Sequence, residues 1–135
     1  MLLTVNTHSR TEFVDITADI NAQLRAAGSP AAGLCHLFVP HTTAAITINE
    51  SADPSVRQDI LKILNQVVPF EAEYGHLEGN SAAHIKSTLV GASEVIALSD
   101  DGRLRLGTWQ GVFFCEFDGP RTRKVQIRII ADNAA

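Results

Sequence analysis

The chain has 135 residues and a mass of 14.6 kDa, with 45% apolar against 19% charged residues, enough for one domain with its own core and too apolar for a disordered tail. Lys and Arg total 11 against 15 Asp and Glu, and the resulting net charge of −4 excludes the basic face that a dedicated nucleic-acid binder uses to neutralise phosphates. No apolar run approaches the roughly 18–20 residues of a membrane span, and the opening residues lack the basic-then-apolar order of a signal peptide, so the expected setting is the cytosol with no membrane partner.

Leu2 to Thr7 and Thr11 to Val14 read as two short strands around a turn at His8, Ser9 and Arg10. Ile16, Ile20 and Leu24 then fall four apart and Ala27 continues the row, which predicts a helix from about Thr17 to Ala27 that Gly28 closes in a left-handed cap. Gly33 to Val39 and Thr43 to Glu50 are β-rich runs interrupted by Pro40-His41-Thr42, so His41 falls at a strand end. In the second run Ile46 and Ile48 face away from Thr43, Ala45, Thr47 and Asn49, and the expectation is one core-facing and one polar side. A further helix follows, with Asp53 as its cap, Pro54 at its first position and Val56, Ile60, Ile63, Leu64 and Val67 on one face until Pro69.

From Phe70 to Asn80 the periodicity is lost, the mark of a functional or mobile loop. Ser81 to Val90 reads as a short helix closed by Gly91, with His84 and Thr88 one turn apart on one side. Val95–Leu98, Leu104–Leu106, Val112–Phe117 and Val125–Ile129 read as strands, with Asp101-Gly102 turning between the first two and Ala131 to Ala135 as a fraying tail. This order predicts a single α+β domain over residues 1–135, with a largely antiparallel sheet system and none of the βαβ alternation of a dinucleotide fold.

Several groups of residues can carry chemistry. His41, His76 and His84 come from separate elements and can form the open tetrahedral site of a catalytic zinc, or each imidazole can make ordinary hydrogen bonds where it stands. His84-Ile85-Lys86-Ser87-Thr88 sets a cation, two hydroxyls and an imidazole on about one helical turn, and Gly119-Pro120-Arg121 places an arginine at a tight turn, a mix suited to phosphate. The absence of a GxxxxGK[ST] run argues against a nucleotide cofactor. Gly107-Thr108-Trp109-Gln110-Gly111 either walls a pocket with the chain's one tryptophan or sends that ring into the core. Glu116 and Asp118 share a strand face, from which they can orient a histidine or pair with Arg121. Cys35 and Cys115 lie in apolar strand-like runs and are expected as buried thiols rather than a disulfide framework.

The stretches His41-Thr42-Thr43-Ala44-Ala45-Ile46-Thr47-Ile48-Asn49-Glu50, Asp53-Pro54, His76 through Ser87 and Gly107-Thr108-Trp109-Gln110-Gly111, in this order and spacing, resemble the YjbQ family over nearly the whole chain. The resemblance implies a two-sheet β-sandwich with helices packed on it, assembled as a homotrimer. It also implies that His41, His76 and His84 belong to the site, around a divalent metal such as zinc or magnesium. Asn49, Glu50, Glu78, Asn80, Lys86, Trp109 and Gln110 match the family's motif positions as well. The activity it implies is of thiamine-phosphate-synthase type, joining an aminopyrimidine diphosphate to a thiazole phosphate with loss of diphosphate. Lys86, Ser87 and the metal would then steady the leaving group, with Trp109, Asn49, Asn80, Gln110 and Arg121 as substrate contacts. Two alternatives stand beside it. One is a metal-dependent hydrolase, in which a metal bound by histidines such as His41 and His84 activates water and Glu50 or Glu78 acts as general base, and the other is a non-catalytic binder of a small phosphorylated metabolite.

Overall fold

The computed structural model describes residues 1–132. In chain order its elements are β1(Leu2–Asn6), β2(Glu12–Asp15), α1(Thr17–Ala26), β3(Gly33–Phe38), β4(Ala44–Glu50), α2(Pro54–Val67), α3(Ser81–Val90), β5(Ser93–Ala97), β6(Gln110–Glu116) and β7(Thr122–Ala131). They form an α+β fold of two antiparallel sheets, ordered β1-β7-β3-β5 and β2-β6-β4, with three helices.

β1 and β2 flank the predicted turn but lie in different sheets, β1 against β7 and β2 against β6. The turn, held by the His8 and Ser9 amides donating to Glu12 Oε2 at 2.7 and 2.5 Å, carries the chain across the sandwich. Pro40-His41-Thr42 makes the same crossing between β3 and β4. Of the predicted Leu104–Leu106 strand, one bridge survives, Leu98 to Leu104. The Asp101-Gly102 turn closes there through Ser99 N–H to the Arg103 carbonyl at 2.7 Å, after which the chain leaves for the Trp109 turn.

Between the sheets, Leu37, Ile46, Val112, Phe114, Val125 and Ile127 form the main core, and the predicted α1 stripe of Ile16, Ile20 and Leu24 seals it. A second cluster of Phe13, Ala45, Phe113, Cys115 and Phe117 lies on the far side of the three-stranded sheet, covered by Ala83 of α3 and by Ile60, Leu61 and Leu64 of α2. The expected polar side of β4 is thereby corrected. Thr43 and Ala45 are buried, because helices pack on that face as well.

α2 starts as predicted, Asp53 Oδ1 accepting from the Ser55 amide at 2.9 Å with Pro54 at the first position. Its apolar face is covered in part only: Ile63 is 53% and Val67 66% exposed. α3 ends at Gly91, whose φ of 103° only glycine adopts easily. Of the predicted tail, Ala131 pairs with Gly33 at the end of β7, and residues 133–135 lie outside the described residues. Cys35 and Cys115 are buried and unpaired; burial pushes the Cys35 thiol up to about 11 and raises Cys115 as well. Among the described residues, no helix is long and apolar enough to cross a membrane.

Candidate functional site

The β3–β7 ladder runs from Gly33 against Ala131 to Phe38 against Gln126, so continuing it by two residues would set residue 40 against Lys124. Pro40 breaks the strand there. The Lys124 amide donates instead to His41 Nε2 at 3.0 Å. An accepting Nε2 carries no proton, which leaves Nδ1–H as the donor of the neutral ring. Partial burial and then the charge of Arg123 lower the His41 pKa from 6.5, which keeps the imidazole neutral at neutral pH.

Behind His41, sequence reasoning missed a buried ion pair that bridges the two sheets. Arg123 Nε donates to Glu116 Oε1 at 2.9 Å, and Arg123 Nη2 to Thr43 Oγ1 at 2.9 Å. Thr7 Oγ1 donates to the same carboxylate at 2.7 Å. Burial works to raise the Glu116 pKa, but the Arg123 guanidinium and the bonds from Thr7 and the Asp118 amide outweigh it and hold the carboxyl below its usual range. The available signal was the alternation of β7, which sets Arg123 on the inward side with Val125 and Ile127.

On α3 the 3.6-residue period divides the predicted phosphate cluster. His84, Ser87 and Thr88 share one side, and with His41 and Thr42 they line a groove of about 390 Å³. The Ser87 hydroxyl is buried and has no hydrogen-bond partner among the described residues. Lys86 faces the opposite way, fully buried, with Nζ donating to Asn65 Oδ1 at 2.6 Å and lying 4.2 Å from the centre of the Phe70 ring. Desolvation, followed by the charge of Arg10, lowers its pKa.

The His76 ring meets His84 edge to face, with ring centres 5.5 Å apart, and its Nε2 lies 3.7 Å from exposed Glu78. Asn80, ahead of α3, donates to Asp118 Oδ2 at 3.0 Å, and Asp118 also pairs with Arg121 Nη2 at 2.9 Å. Arg121 is near enough for its charge to bear on His41. The remaining predicted residues stand elsewhere. Asn49 and Glu50 end β4, in register with Gly111 and Gln110, and Trp109 is 64% exposed beside them. β4 thus separates the two groups by about 20 Å at its per-residue rise.

The divalent metal implied by resemblance does not fit this arrangement. Among the described residues no three His, Cys, Asp or Glu side chains come close enough to hold an ion. His41 has also committed the lone pair of Nε2 to Lys124, and its other nitrogen carries the proton. A separate groove of about 410 Å³, lined by His36, Phe38 and Arg128, lies on the uncovered face of the four-stranded sheet, away from these histidines.

Residues 1–132 match the family described as UPF0047 protein YjbQ-like. The chain is 51% identical to the UPF0047 protein MJ1081 of Methanocaldococcus jannaschii over 128 residues, 95% of this chain and 91% of that protein. It is 50% identical to the UPF0047 protein YugU of Bacillus subtilis over 129 residues, 95% of this chain and 96% of that protein. Among solved structures it is similar to a YjbQ/UPF0047-family protein of Clostridium acetobutylicum, with a TM-score of 0.91 at 48% identity over 96% of this chain and 99% of that one. It is also similar to APE1520 of Aeropyrum pernix, with a TM-score of 0.91 at 36% identity over 98% of each chain.

Proposed function

The chain belongs to the UPF0047/YjbQ family, and from that premise we propose that it is an enzyme that takes a small phosphorylated metabolite into the groove between His41 and His84. The reaction is of thiamine-phosphate-synthase type. The thiazole ring nitrogen attacks the methylene carbon of the aminopyrimidine diphosphate, and a C–N bond forms as the C–O bond breaks. Diphosphate departs with the electron pair. The demand on the protein is to stabilise charge growing on that leaving group.

One observation carries the reading: the Ser87 hydroxyl is buried and unpartnered in the wall of a groove that two imidazoles also line. A buried polar group without a partner costs stability unless a ligand satisfies it. The Ser87 hydroxyl and the Nδ1–H of His41 are neutral donors suited to phosphoryl oxygens, with Arg121 adding positive charge from the β6–β7 turn, whereas the Thr88 hydroxyl donates to the His84 carbonyl at 2.9 Å. Lys86 supports the groove from inside, by fixing α3 to Asn65 of α2.

Purified protein given both substrates should form thiamine phosphate. His84→Ala and Ser87→Ala should lower kcat/KM by about 10²-fold or more while the folded circular-dichroism signal persists. Undiminished turnover in either variant overturns the site. Saturable binding of the phosphorylated substrate with no product overturns the transferase and leaves a metabolite-binding protein.

A further inference from the structure

The segment from Pro69 to Asn80, between α2 and α3, is held at its two ends and at few points between them. At one end the Phe70 ring has Arg10 Cζ 4.0 Å and Lys86 Nζ 4.2 Å from its centre. At the other, Asn80 donates to Asp118 Oδ2 at 3.0 Å, and its carbonyl accepts from the Ala83 amide at 3.1 Å. Among the described residues, every hydrogen bond made from Glu71 to Gly79 stays inside the segment: the Tyr74 amide donates to the Ala72 carbonyl at 2.9 Å and the Tyr74 hydroxyl to the Pro69 carbonyl. Apart from Tyr74 these residues are exposed, and exposed backbone with so few partners rearranges at small cost.

Glycines mark the middle of this strap. Gly75 and Gly79 bracket His76-Leu77-Glu78, a Cβ at either glycine would meet nothing within 4 Å, and Gly79 has a φ of 77° that glycine adopts without strain. Leu77 between them is fully exposed, the most exposed large apolar side chain among the described residues. The neighbouring Tyr74, Gly75 and His76 stand off Ser81, His84 and Ile85 of α3 across a gap of about 400 Å³. Further along the same helix, Ile85 and Leu89 line an almost wholly apolar groove of about 210 Å³ with His84 and Thr88. His84 lines the gap and the His41 groove alike.

We propose that residues 71–79 are a lid that turns about Gly75 and Gly79, seats Leu77 on Ile85 and Leu89 of its own α3, and closes over His84 when an anion occupies the His41–His84 groove. Burial of one leucine favours closure and the ordering of the strap opposes it, by amounts of similar size, so a bound ligand decides the balance. The ligand does so only through a contact that differs between the two states. That contact is His76, whose ring meets His84 edge to face at 5.5 Å in the open form and which closure carries toward the phosphoryl oxygens as a further N–H donor. Closure also takes water from the groove in which the leaving-group charge grows. The identity of the ligand rests on the function proposed above, whereas the reach of the strap does not.

Leu77→Trp in a Trp109→Phe background places one fluorophore on the strap. Its emission should be red and open to acrylamide in the free protein, then shift to the blue and become shielded when inorganic diphosphate is added. Diphosphate that binds by calorimetry with no change in that emission overturns the lid, and so does an emission already blue without ligand. Leu77→Ala should weaken diphosphate binding about tenfold with the melting temperature unchanged, since the side chain is fully exposed in the open form. Undiminished affinity in Leu77→Ala contradicts the seating of Leu77.

Leu77→Cys combined with Ile85→Cys tests the reach of the strap without any ligand; Cys35 and Cys115 are buried and stay silent. Mild oxidation should form a disulfide within one chain, read by peptide mass, and its absence, or a bond only between chains, overturns the hinge. Failure to bind diphosphate overturns the proposed function and with it the trigger, while the cross-link still decides the lid. A groove that binds diphosphate beneath a strap that neither shields position 77 nor cross-links loses only this inference.

Discussion

Pro40 ends the β3–β7 ladder two residues short of Lys124, and the His41 ring fills the acceptor position that the strand gives up. Nitrogen-15 NMR at pH 7.5 should therefore show His41 with its proton on Nδ1 and an unprotonated Nε2; the usual Nε2–H form would contradict the geometry. Glu116 and Arg123 sit just behind, both buried. Glu116→Ala leaves a guanidinium without its counter-charge, and urea unfolding should record a loss of about 3–5 kcal/mol. Glu116→Leu combined with Arg123→Met should recover most of it, since no buried charge then remains unpaired.

Among the elements, α1 and α2 have similar amphipathic patterns and different fates. Ile20 and Leu24 of α1 are fully buried between the sheets, so Leu24→Ala should cost about 2–5 kcal/mol in urea unfolding. Val67→Ala on α2 should change stability by no more than about 0.5 kcal/mol, because that side chain is two-thirds exposed. Periodicity reads where the apolar stripe lies, and it does not read how much of the stripe finds a cover. The helices, their caps and most strands were legible for that reason, whereas the pairing of β1 and β2 with distant strands was not: a turn between two strands looks the same whether it closes a hairpin or crosses a sandwich. At the site, the grouping of His84, Ser87 and Thr88 follows from helical spacing. The inward turn of Lys86 depends on Asn65 and Phe70, which come from other parts of the chain. The Glu116–Arg123 pair needed knowledge of which strands face each other.

For the whole molecule, His41 and Glu116 act in one direction as pH falls. His41 titrates below its ordinary 6.5 in the folded chain, so below that pH the unfolded chain binds more protons and stability falls. Glu116 titrates below its ordinary 4.5, and its contribution, full above that value, is lost as pH falls through the folded pKa. Thermal melts should be flat from pH 7 to 8 and decline below about pH 6.5, with the first part of that decline removed in His41→Gln. Chelation should leave the melting temperature unchanged, because among the described residues no three ligating side chains gather on one ion; a drop on dialysis against EDTA would contradict this. The ladders carry a last consequence. Among the described residues no strand pairs with its immediate neighbour in sequence, and β7 joins β1 to the β3–β5 pair. The four-stranded sheet is therefore complete only once β7 has been made, and deletion of Thr122 to Ala131, which would leave β1 with no strand to pair with, should abolish the folded state outright rather than trim one edge from it.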